Sequence, residues 1–312
     1  MIRLLRTSAG VLGILAAACG GRSGRAASVA PAEGGSLPKL VSTEELARWQ
    51  AEGPVLAIDV RSDVFDYLKG HLPGAEYLNM ETLRASEGGI PTRLLSAGAY
   101  RELFSRLGIA PDRPVVIYSA GESRNIDATF LAFLLGGFGL PRAYVLDGGY
   151  FKWQLEQRPI AVHYPRVPLT RFPEQPFHPD TASLDDVRRA ADGGGAVLVD
   201  ARSPEQYAGQ AGAQMRRGHI PGAISHSWQD DLTQEGFGHV WKPADDLRRG
   251  YAAQGITPDK DVIAYCNSAT EASHVHFTLR YLLGYPRVRV YVGSWTEWAE
   301  NTTLPVQPGP TP

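Results

Sequence analysis

The residue whose type and surroundings best suit chemistry is Cys266, which begins the segment Cys266-Asn-Ser-Ala-Thr-Glu-Ala272. The apolar run Val262–Tyr265 before it is typical of a buried strand, and Ser273–Leu283 after it is typical of a helix. A loop between a strand and a helix can turn its backbone N–H groups inward and hold an anion. Such a loop would stabilise a thiolate, the form of cysteine that acts as a nucleophile. The loop alone leaves a buried structural cysteine as the alternative.

Other reactive side chains give weaker signals. Ser119 follows a similar apolar strand, but no Gly-x-Ser-x-Gly elbow is present, which argues against a serine hydrolase. His274 and His276 are two residues apart on the predicted helix, so they face different directions and do not form a metal-binding pair. We therefore predict neither a metal site nor a cofactor.

The elements that must position Cys266 are written twice in the chain. Five landmarks recur in the same order at a nearly constant spacing, which indicates a duplicated domain. The pairs are Leu56-Ala-Ile-Asp-Val-Arg61 with Leu198-Val-Asp-Ala-Arg202, Gly70-His-Leu-Pro-Gly-Ala75 with Gly218-His-Ile-Pro-Gly-Ala223, Gly108-Ile-Ala-Pro-Asp112 with Gly255-Ile-Thr-Pro-Asp259, Val116-Ile-Tyr-Ser119 with Val262-Ile-Ala-Tyr-Cys266, and Gly148–Trp153 with Gly293–Trp298. Ser119 therefore occupies the position of Cys266 in the first copy. Between the copies, Pro159–Asp180 contains six prolines and is predicted to be a linker.

Each copy alternates β-rich runs with amphipathic stretches. Strands are predicted at Val55–Val60, Val115–Tyr118, Ala143–Leu146, Ala196–Val199, Val262–Tyr265 and Val288–Tyr291, and helices at Thr43–Gln50, Ala99–Leu107 and Ala128–Leu135. Buried strands separated by helices predict an α/β fold with parallel sheets covered on both faces. In such sheets ligands bind beyond the carboxyl ends of the strands, which is where Cys266 lies.

The N-terminus has the order basic, apolar, small that is typical of a secretory signal. Arg3 and Arg6 precede the uncharged run Ala9–Ala18, which is too short to span a bilayer. Leu15-Ala-Ala-Ala-Cys19 resembles a bacterial lipobox. The leucine lies one residue farther from the cysteine than in that motif, so cleavage by an ordinary signal peptidase is the alternative. We expect export, lipidation of Cys19, and a periplasmic protein anchored to a bacterial membrane by its lipid.

Composition limits the remaining possibilities. With 31 Lys and Arg against 33 Asp and Glu, the chain has no basic excess for binding nucleic acid. Its two cysteines cannot build a disulfide framework or a cysteine-based zinc site.

Together these motifs resemble the rhodanese (thiosulfate/3-mercaptopyruvate sulfurtransferase) family in its tandem-domain form, over about residues 38–304. The resemblance implies two rhodanese-like domains, each a mainly parallel sheet flanked by helices, of which the first is catalytically silent. With the N-terminal pattern and the proline-rich segment, the predicted organisation is a signal peptide at 1–18, a tether at 19–37, the silent domain at 38–160, a linker at 161–180, the catalytic domain at 181–304 and a tail at 305–312. It also implies a persulfide on Cys266, cradled by Asn267, Ser268, Ala269, Thr270, Glu271 and Ala272.

The sequence departs from the family pattern where a donor would bind. Gln206 stands where such enzymes commonly carry an arginine, and Asn267 and Ser268 stand where the thiosulfate-type loop has cations. Cations for an anionic donor must then come from elsewhere, and the candidates are Arg202, Arg216 and Arg217. Arg202 has a second interpretation, as half of an ion pair with Asp200 that braces a loop.

These residues are compatible with three functions. A sulfurtransferase using thiosulfate or 3-mercaptopyruvate is favoured, with a thiol or cyanide as acceptor and a monomer as the expected state. A persulfide carrier without efficient turnover is the second. A cysteine phosphatase is disfavoured, because its longer loop ends in an arginine and position 272 is alanine.

Glu271 adds an acid to a loop suited to anions. If its carboxylate points inward, it should repel a Cys266 thiolate and a dianionic donor. We expect instead that it points to solvent or anchors the loop by accepting backbone N–H bonds.

Overall fold

The protein is described by a computed structural model over residues 38–120, 125–236 and 238–312. The predicted signal peptide and the tether with Cys19 lie outside the described residues. The strands are β1 Lys39–Val41, β2 Leu56–Asp59, β3 Ala75–Tyr77, β4 Arg84–Glu87, β5 Ile90–Leu94, β6 Val115–Tyr118, β7 Ala143–Leu146, β8 Thr181–Ala182, β9 Ala196–Asp200, β10 Ile224–Ser225, β11 Leu232–Glu235, β12 Gly238–Trp241, β13 Asp261–Tyr265 and β14 Val288–Tyr291. The α-helices are α1 Thr43–Glu52, α2 Val64–Lys69, α3 Ala97–Arg106, α4 Ile126–Gly137, α5 Gly149–Leu155, α6 Leu184–Ala191, α7 Pro204–Tyr207, α8 Ala244–Ala253, α9 Thr270–His276 and α10 Ser294–Glu300. Met80–Leu83 and Trp228–Asp231 form 3-10 helices, and Phe277–Leu282 continues α9 as a π-helix.

Each half of the chain builds one parallel sheet. The first has the order β1-β7-β6-β2-β3 and the second the order β10-β9-β13-β14-β8, with every pairing parallel. An antiparallel hairpin accompanies each sheet, β4–β5 in the first half and β11–β12 in the second. The predicted α/β fold with two parallel sheets flanked by helices is confirmed.

The strands that form the sheet centres lie where the apolar runs predicted them. β6, β7 and β14 have the predicted bounds, and β13 is hydrogen-bonded between β9 and β14. Polar residues fix the starts of several helices, because a side-chain oxygen can accept an otherwise unpaired first-turn N–H group. Ser42 caps α1, Ser96 caps α3, and Ser183 caps α6 in a reciprocal pair with Asp186.

The two halves pack against each other through α4 and α9, which follow the equivalent strands β6 and β13. The residues of α4 from Ala128 to Leu135 are all buried, since one side of the helix covers its own sheet and another faces the second half. Across this contact the Thr129 and Ser273 hydroxyls are 3.2 Å apart, and the Phe133 and His276 rings meet edge to face at 5.1 Å.

The proline-rich segment between the halves lies along the first domain without forming a helix or strand of its own. Its residues 162–180 are irregular, and Ala161 makes an isolated antiparallel bridge with His71. Phe172 is buried against Phe104 and Phe138, so the segment is held by packing. None of the helices in residues 38–120, 125–236 and 238–312 combines the length and the apolar composition of a membrane-spanning helix.

Candidate active site

Cys266 follows β13, the central strand of the second sheet, and its side chain is only 1% exposed. The loop that it begins leads directly into α9. Backbone N–H groups of Ser268, Glu271 and Ala272 point at its sulfur. The predicted cradle is therefore present, at the carboxyl end of a parallel strand.

Ser294, the first residue of α10, holds the backbone of Cys266. The Cys266 N–H donates to Ser294 Oγ at 3.2 Å, and this hydroxyl donates to the Tyr291 carbonyl at 2.7 Å. The Trp295 N–H donates to the Cys266 carbonyl at 2.8 Å. Thr296 Oγ1 donates to the next carbonyl, that of Asn267, at 2.8 Å. The start of α10 thus fixes the first two residues of the loop.

The middle of the loop is held by the first domain. Arg84 of β4, whose side chain is 6% exposed, donates through Nη1 to the Ser268 carbonyl at 2.7 Å and through Nη2 to Glu81 at 2.9 Å. Ala269 adopts a left-handed conformation with φ +73°, a conformation that costs a non-glycine residue about 1–3 kcal/mol. The surrounding contacts must maintain this strained turn.

A cleft of about 390 Å³ opens beside the loop, between the two domains. It is lined by Ser62, Met80, Glu81, Ile126 and Asp127 of the first domain and by Ser203, Ser227, Trp228, Gln229 and Glu271 of the second. Three of these described lining residues are acids, and none is a lysine or an arginine. Of the loop from Cys266 to Ala272, Glu271 is the residue that lines the cleft.

The Glu271 carboxylate points inward, which corrects our expectation of a solvent-facing side chain. The Cys266 thiol and the Asn267 N–H lie close enough to the carboxylate to lower its pKa, so the anchoring part of that expectation is retained. A carboxylate can lie beside Cys266 because the sulfur carries a proton and is not a second negative charge. Burial raises the pKa of the Glu271 carboxyl to about 7, and the charge of Asp200 acts in the same direction.

The resting sulfur is also less acidic than we expected from the cradle. Burial first, and then the charge of Glu271, raise the pKa of the Cys266 thiol to about 12, although the backbone N–H groups lower it. The unmodified protein therefore holds a thiol at neutral pH, and ionisation requires a change at the site. Transfer of the thiol proton to a neighbouring group is one such change.

The candidate donor-binding arginines do not reach the cleft. Arg202 is 1% exposed and grips Asp200 through two hydrogen bonds of 2.9 and 2.6 Å, as the bracing interpretation predicts. Arg216 donates to the carbonyls of Asn301 and Leu304. Arg217 is exposed and is not among the described residues that line the cleft. None of the three is among the described residues that line the cleft, and donor binding by them stays a prediction.

The first domain repeats the supports of the site around Ser119. Ser119 is 1% exposed, its Oγ donates to Asn125 at 3.1 Å, and the Tyr150 N–H donates to its carbonyl at 2.9 Å. Arg61 grips Asp59 as Arg202 grips Asp200. The serine thus occupies the equivalent place, with a hydroxyl where the second domain has sulfur.

The repeated histidines share a structural position. His71 Nδ1 lies 3.0 Å from the Tyr67 carbonyl, and His219 Nδ1 lies 2.9 Å from that of Tyr207. Each ring also stacks on the same tyrosine, at 4.0 and 3.7 Å. Both histidines are parts of the turn, as the duplication predicts.

A buried polar cluster supports the cleft wall formed by Trp228 and Gln229. Asp231, which is 0% exposed, lies 3.1 Å from His226 Nε2 and accepts from the Tyr251 hydroxyl at 2.9 Å. Burial raises the pKa of the Asp231 carboxyl. His226 and His274 lower this pKa by more than burial raises it, so it lies below the ordinary value of an aspartate. The cluster keeps the 3-10 helix in place.

The two histidines of α9 go to different places, as their spacing predicts. His274 stacks on Trp241 at 4.5 Å, and His276 Nε2 lies 3.2 Å from Asp180. Among the described residues, no three His, Cys, Asp or Glu side chains are grouped to hold a metal ion.

Sequence reasoning missed two supporting residues, Ser294 and Arg84. Ser294 had a usable signal, because the duplication places it opposite Gly149 and both have positive φ, +53° and +56°. A serine retained at a glycine-type position indicates a role for its hydroxyl. Arg84 gave no signal in the sequence, because 184 residues separate it from Ser268.

The sequence model of the Rhodanese-like domain matches residues 42–156 and 183–301. The chain belongs to the rhodanese family. Among its relatives is a putative thiosulfate sulfurtransferase of Synechococcus elongatus, 35% identical over 259 residues that cover 81% of this chain and 80% of that protein. The sulfur carrier protein TtuD of Thermus thermophilus is also 35% identical, over 86% of this chain and 96% of that protein.

A solved structure of a rhodanese-fold protein shows the same architecture. The 3-mercaptopyruvate sulfotransferase SseA of Escherichia coli superposes with a TM-score of 0.71 at 27% identity, covering 82% of this chain and 98% of that one. This rhodanese-family chain is a sulfurtransferase, and its two sheets are the tandem domains of the family.

Proposed function

We propose that Cys266 takes the sulfane sulfur of thiosulfate, or of a related donor such as 3-mercaptopyruvate, and passes it to a thiophilic acceptor. The single observation that carries this proposal is the sulfur of Cys266 at the carboxyl end of β13, surrounded by inward-pointing N–H groups beside the interdomain cleft. Two of the relatives bear names consistent with sulfur transfer and carriage.

The reaction consists of two half-reactions on one sulfur. Cys266 Sγ loses its proton and attacks the outer sulfur of thiosulfate, whose S–S bond breaks so that sulfite leaves with the electron pair. The resulting persulfide is attacked at its outer sulfur by a thiol or cyanide, which restores Cys266. The backbone N–H groups of the loop would stabilise the negative charge on sulfur in both steps.

Steady-state kinetics test this proposal. One sulfur that is charged and discharged in turn should give ping-pong kinetics, with parallel lines in double-reciprocal plots. Cys266→Ser should abolish turnover, whereas Ser119→Ala should leave it largely intact, because the first domain has no sulfur at the equivalent place. Comparable losses from both substitutions would refute this division of labour.

A persulfide carrier is the second candidate, and the composition of the cleft favours it. The described lining residues include no lysine or arginine, and Glu271 places a carboxylate beside the sulfur, an environment that binds a dianionic donor poorly. A carrier would accept sulfur on Cys266 and release it only to a particular partner protein. Slow turnover with every small acceptor, together with rapid charging, would distinguish the carrier from the enzyme.

We also propose that the protein is exported and anchored by a lipid on Cys19. The basic start, the apolar run and the small residues before this cysteine support the proposal. Cys19→Ala should move the protein from the membrane fraction to the soluble periplasmic fraction. A wild-type protein that is already soluble after export would refute the lipid anchor.

A further inference from the structure

Glu271 lies between the buried Cys266 thiol and the cleft. Cys266 is 1% exposed and does not line the cleft, whereas Glu271 lines it and interacts with the Cys266 thiol. A donor that enters from the cleft therefore meets the carboxylate beside the sulfur. The Asn267 N–H fixes the carboxylate from the loop side.

We propose that Glu271 carries the proton of the sulfur-transfer step, and that its charge makes organic hydropersulfides better donors than dianionic thiosulfate. This inference rests on the proposed function and adds to it the proton carrier and the donor class. It follows from the position of the Glu271 carboxylate between the buried nucleophile and the interdomain cleft.

The step balances for a hydropersulfide RS–SH. Glu271 accepts the proton of the Cys266 thiol, and Sγ forms a bond to the terminal sulfur of the donor. The RS–S bond breaks, and its electron pair leaves with the RS group. Glu271 returns the proton to this leaving thiolate, so the products are the Cys266 persulfide and the thiol RSH. No external oxidant or reductant is needed.

A hydropersulfide gains more from this arrangement than thiosulfate does. An alkyl thiolate is a basic leaving group, since ordinary thiols have a pKa near 8.5, and it is stabilised when a carboxylic acid protonates it. Thiosulfate instead brings two negative charges toward the Glu271 carboxylate. Arg84, the cation at the loop, already donates to Glu81 and Ser268.

The groups that face Glu271 allow it to exchange protons near neutral pH. Burial, and then the charge of Asp200, raise the pKa of its carboxyl, whereas the Cys266 thiol, Arg202 and the Asn267 N–H lower it, and the net value is about 7. The carboxylate form is the one that accepts the thiol proton. With a hydropersulfide donor, kcat/KM should therefore rise with pH through about 7.

Glu271→Gln tests the proposal, because the amide keeps the shape and an oxygen acceptor but carries no proton. The donors are 2-hydroxyethyl hydropersulfide and thiosulfate, and formation of the Cys266 persulfide is followed for each. We expect kcat/KM for the hydropersulfide to fall by about 100-fold and the limb near pH 7 to disappear. Thiosulfate loses its repulsion at the same time, so the hydropersulfide-to-thiosulfate ratio should fall by at least about tenfold.

Two further variants complete the design. Glu271→Asp keeps a titrating carboxyl and should retain the pH limb, even if its shorter side chain lowers the rate. Glu102→Gln makes the same chemical change on the exposed face of α3, where Glu102 pairs with Arg106, and should leave both donors unaffected.

Equal losses with both donors in Glu271→Gln, or an unchanged pH limb, would overturn the inference and leave Glu271 as a loop anchor. Absence of a Cys266 persulfide in the wild-type protein with either donor would instead overturn the proposed function. The two failures are therefore distinguishable.

Discussion

At the scale of single residues, the site is a thiol whose acidity is controlled by its neighbours. Three backbone N–H groups favour a charged sulfur, whereas burial and Glu271 oppose it, and the opposing effects prevail in the resting protein. The cradle therefore contributes most after the thiol proton has left. The loop N–H groups therefore stabilise the Cys266 thiolate once it has formed, but they do not cause the thiol to ionise.

The Asp-x-Arg pairs give the first prediction at this scale. Removing one partner of a buried ion pair costs about 3–5 kcal/mol, because the other charge stays buried alone. Arg202→Met should therefore lower the free energy of unfolding by that amount, and Arg61→Met, its counterpart in the first domain, should cost a similar amount. Urea unfolding of both variants measures the effect. A stable Arg202→Met protein with a raised donor KM would show that Arg202 binds the donor instead.

At the scale of elements, the cysteine loop depends on contacts from β4 and α10. The contact from β4 comes from the other domain, through Arg84. A hydrogen bond from a charged donor is worth about 1.5–3 kcal/mol, enough to hold the loop with its strained residue Ala269.

Arg84→Met should loosen the loop and lower kcat/KM for sulfur transfer by about tenfold or more, a factor that corresponds to about 1.4 kcal/mol. The matched control is Arg106→Met, which removes an arginine that is 71% exposed on α3. This control should transfer sulfur at the wild-type rate. Unchanged kinetics in Arg84→Met would show that α10 alone fixes the loop.

The cluster beneath the 3-10 helix predicts a pH-dependent stability. Burial lowers the pKa of His226, but the hydrogen bond and the charge of Asp231 outweigh it and raise the pKa above the ordinary 6.5. A group with a raised folded-state pKa stabilises the fold fully below its unfolded pKa, and this stabilisation is lost as pH rises through the folded pKa.

Wild-type protein should therefore lose unfolding free energy as the pH rises from 6.5 into the mildly alkaline range. His226→Asn should lower stability overall and make this pH dependence shallower. Chemical unfolding at a series of pH values measures both effects. An identical slope in the variant would assign the titration to another group.

The elements themselves follow from local sequence, whereas the contacts between them do not. The strands β6, β7 and β14 are uninterrupted apolar runs, so their pattern alone gives their bounds. Glu271 lies at the second position of α9, where backbone geometry permits a side chain to turn either way. Its inward direction depends on the neighbouring sulfur and N–H group, which no local pattern encodes.

At the scale of the whole molecule, the duplicated domains divide structure from chemistry. The first domain keeps the turn histidine and the ion pair, and it supplies Arg84 and one wall of the cleft. The repeat could be predicted from the sequence because its landmarks keep their order. The packing of α4 on α9 could not be predicted, because the sequence of neither helix shows which other helix it contacts.

The domain interface contains an acid that weakens it. Asp147 follows β7, and its Oδ1 accepts the Trp241 N–H of β12 at 3.1 Å. Burial raises the pKa of its carboxyl from 3.8 to about 6, against the hydrogen bond and Lys152, which lower it. The favourable contribution of the protonated acid is complete below pH 3.8 and is lost as pH rises through about 6.

Asp147→Asn keeps the acceptor oxygen and removes the buried charge. At pH values above 6 it should raise the free energy of unfolding by up to about 3 kcal/mol, the equivalent of the pKa difference. Calorimetry of the wild type and the variant measures this gain. Lower stability in the variant would show that the carboxylate makes a favourable contact with Lys152 that exceeds its burial cost.

The most direct test of the central claim is the mass of the peptide that contains Cys266. Full-length protein is incubated with thiosulfate or 2-hydroxyethyl hydropersulfide without an acceptor, alkylated and digested. We expect the Cys266 peptide to gain the mass of one sulfur atom, to lose it when cyanide is added, and to gain nothing in Cys266→Ser. Sulfur found only on the Cys19 peptide, or charging that persists in Cys266→Ser, would contradict the account.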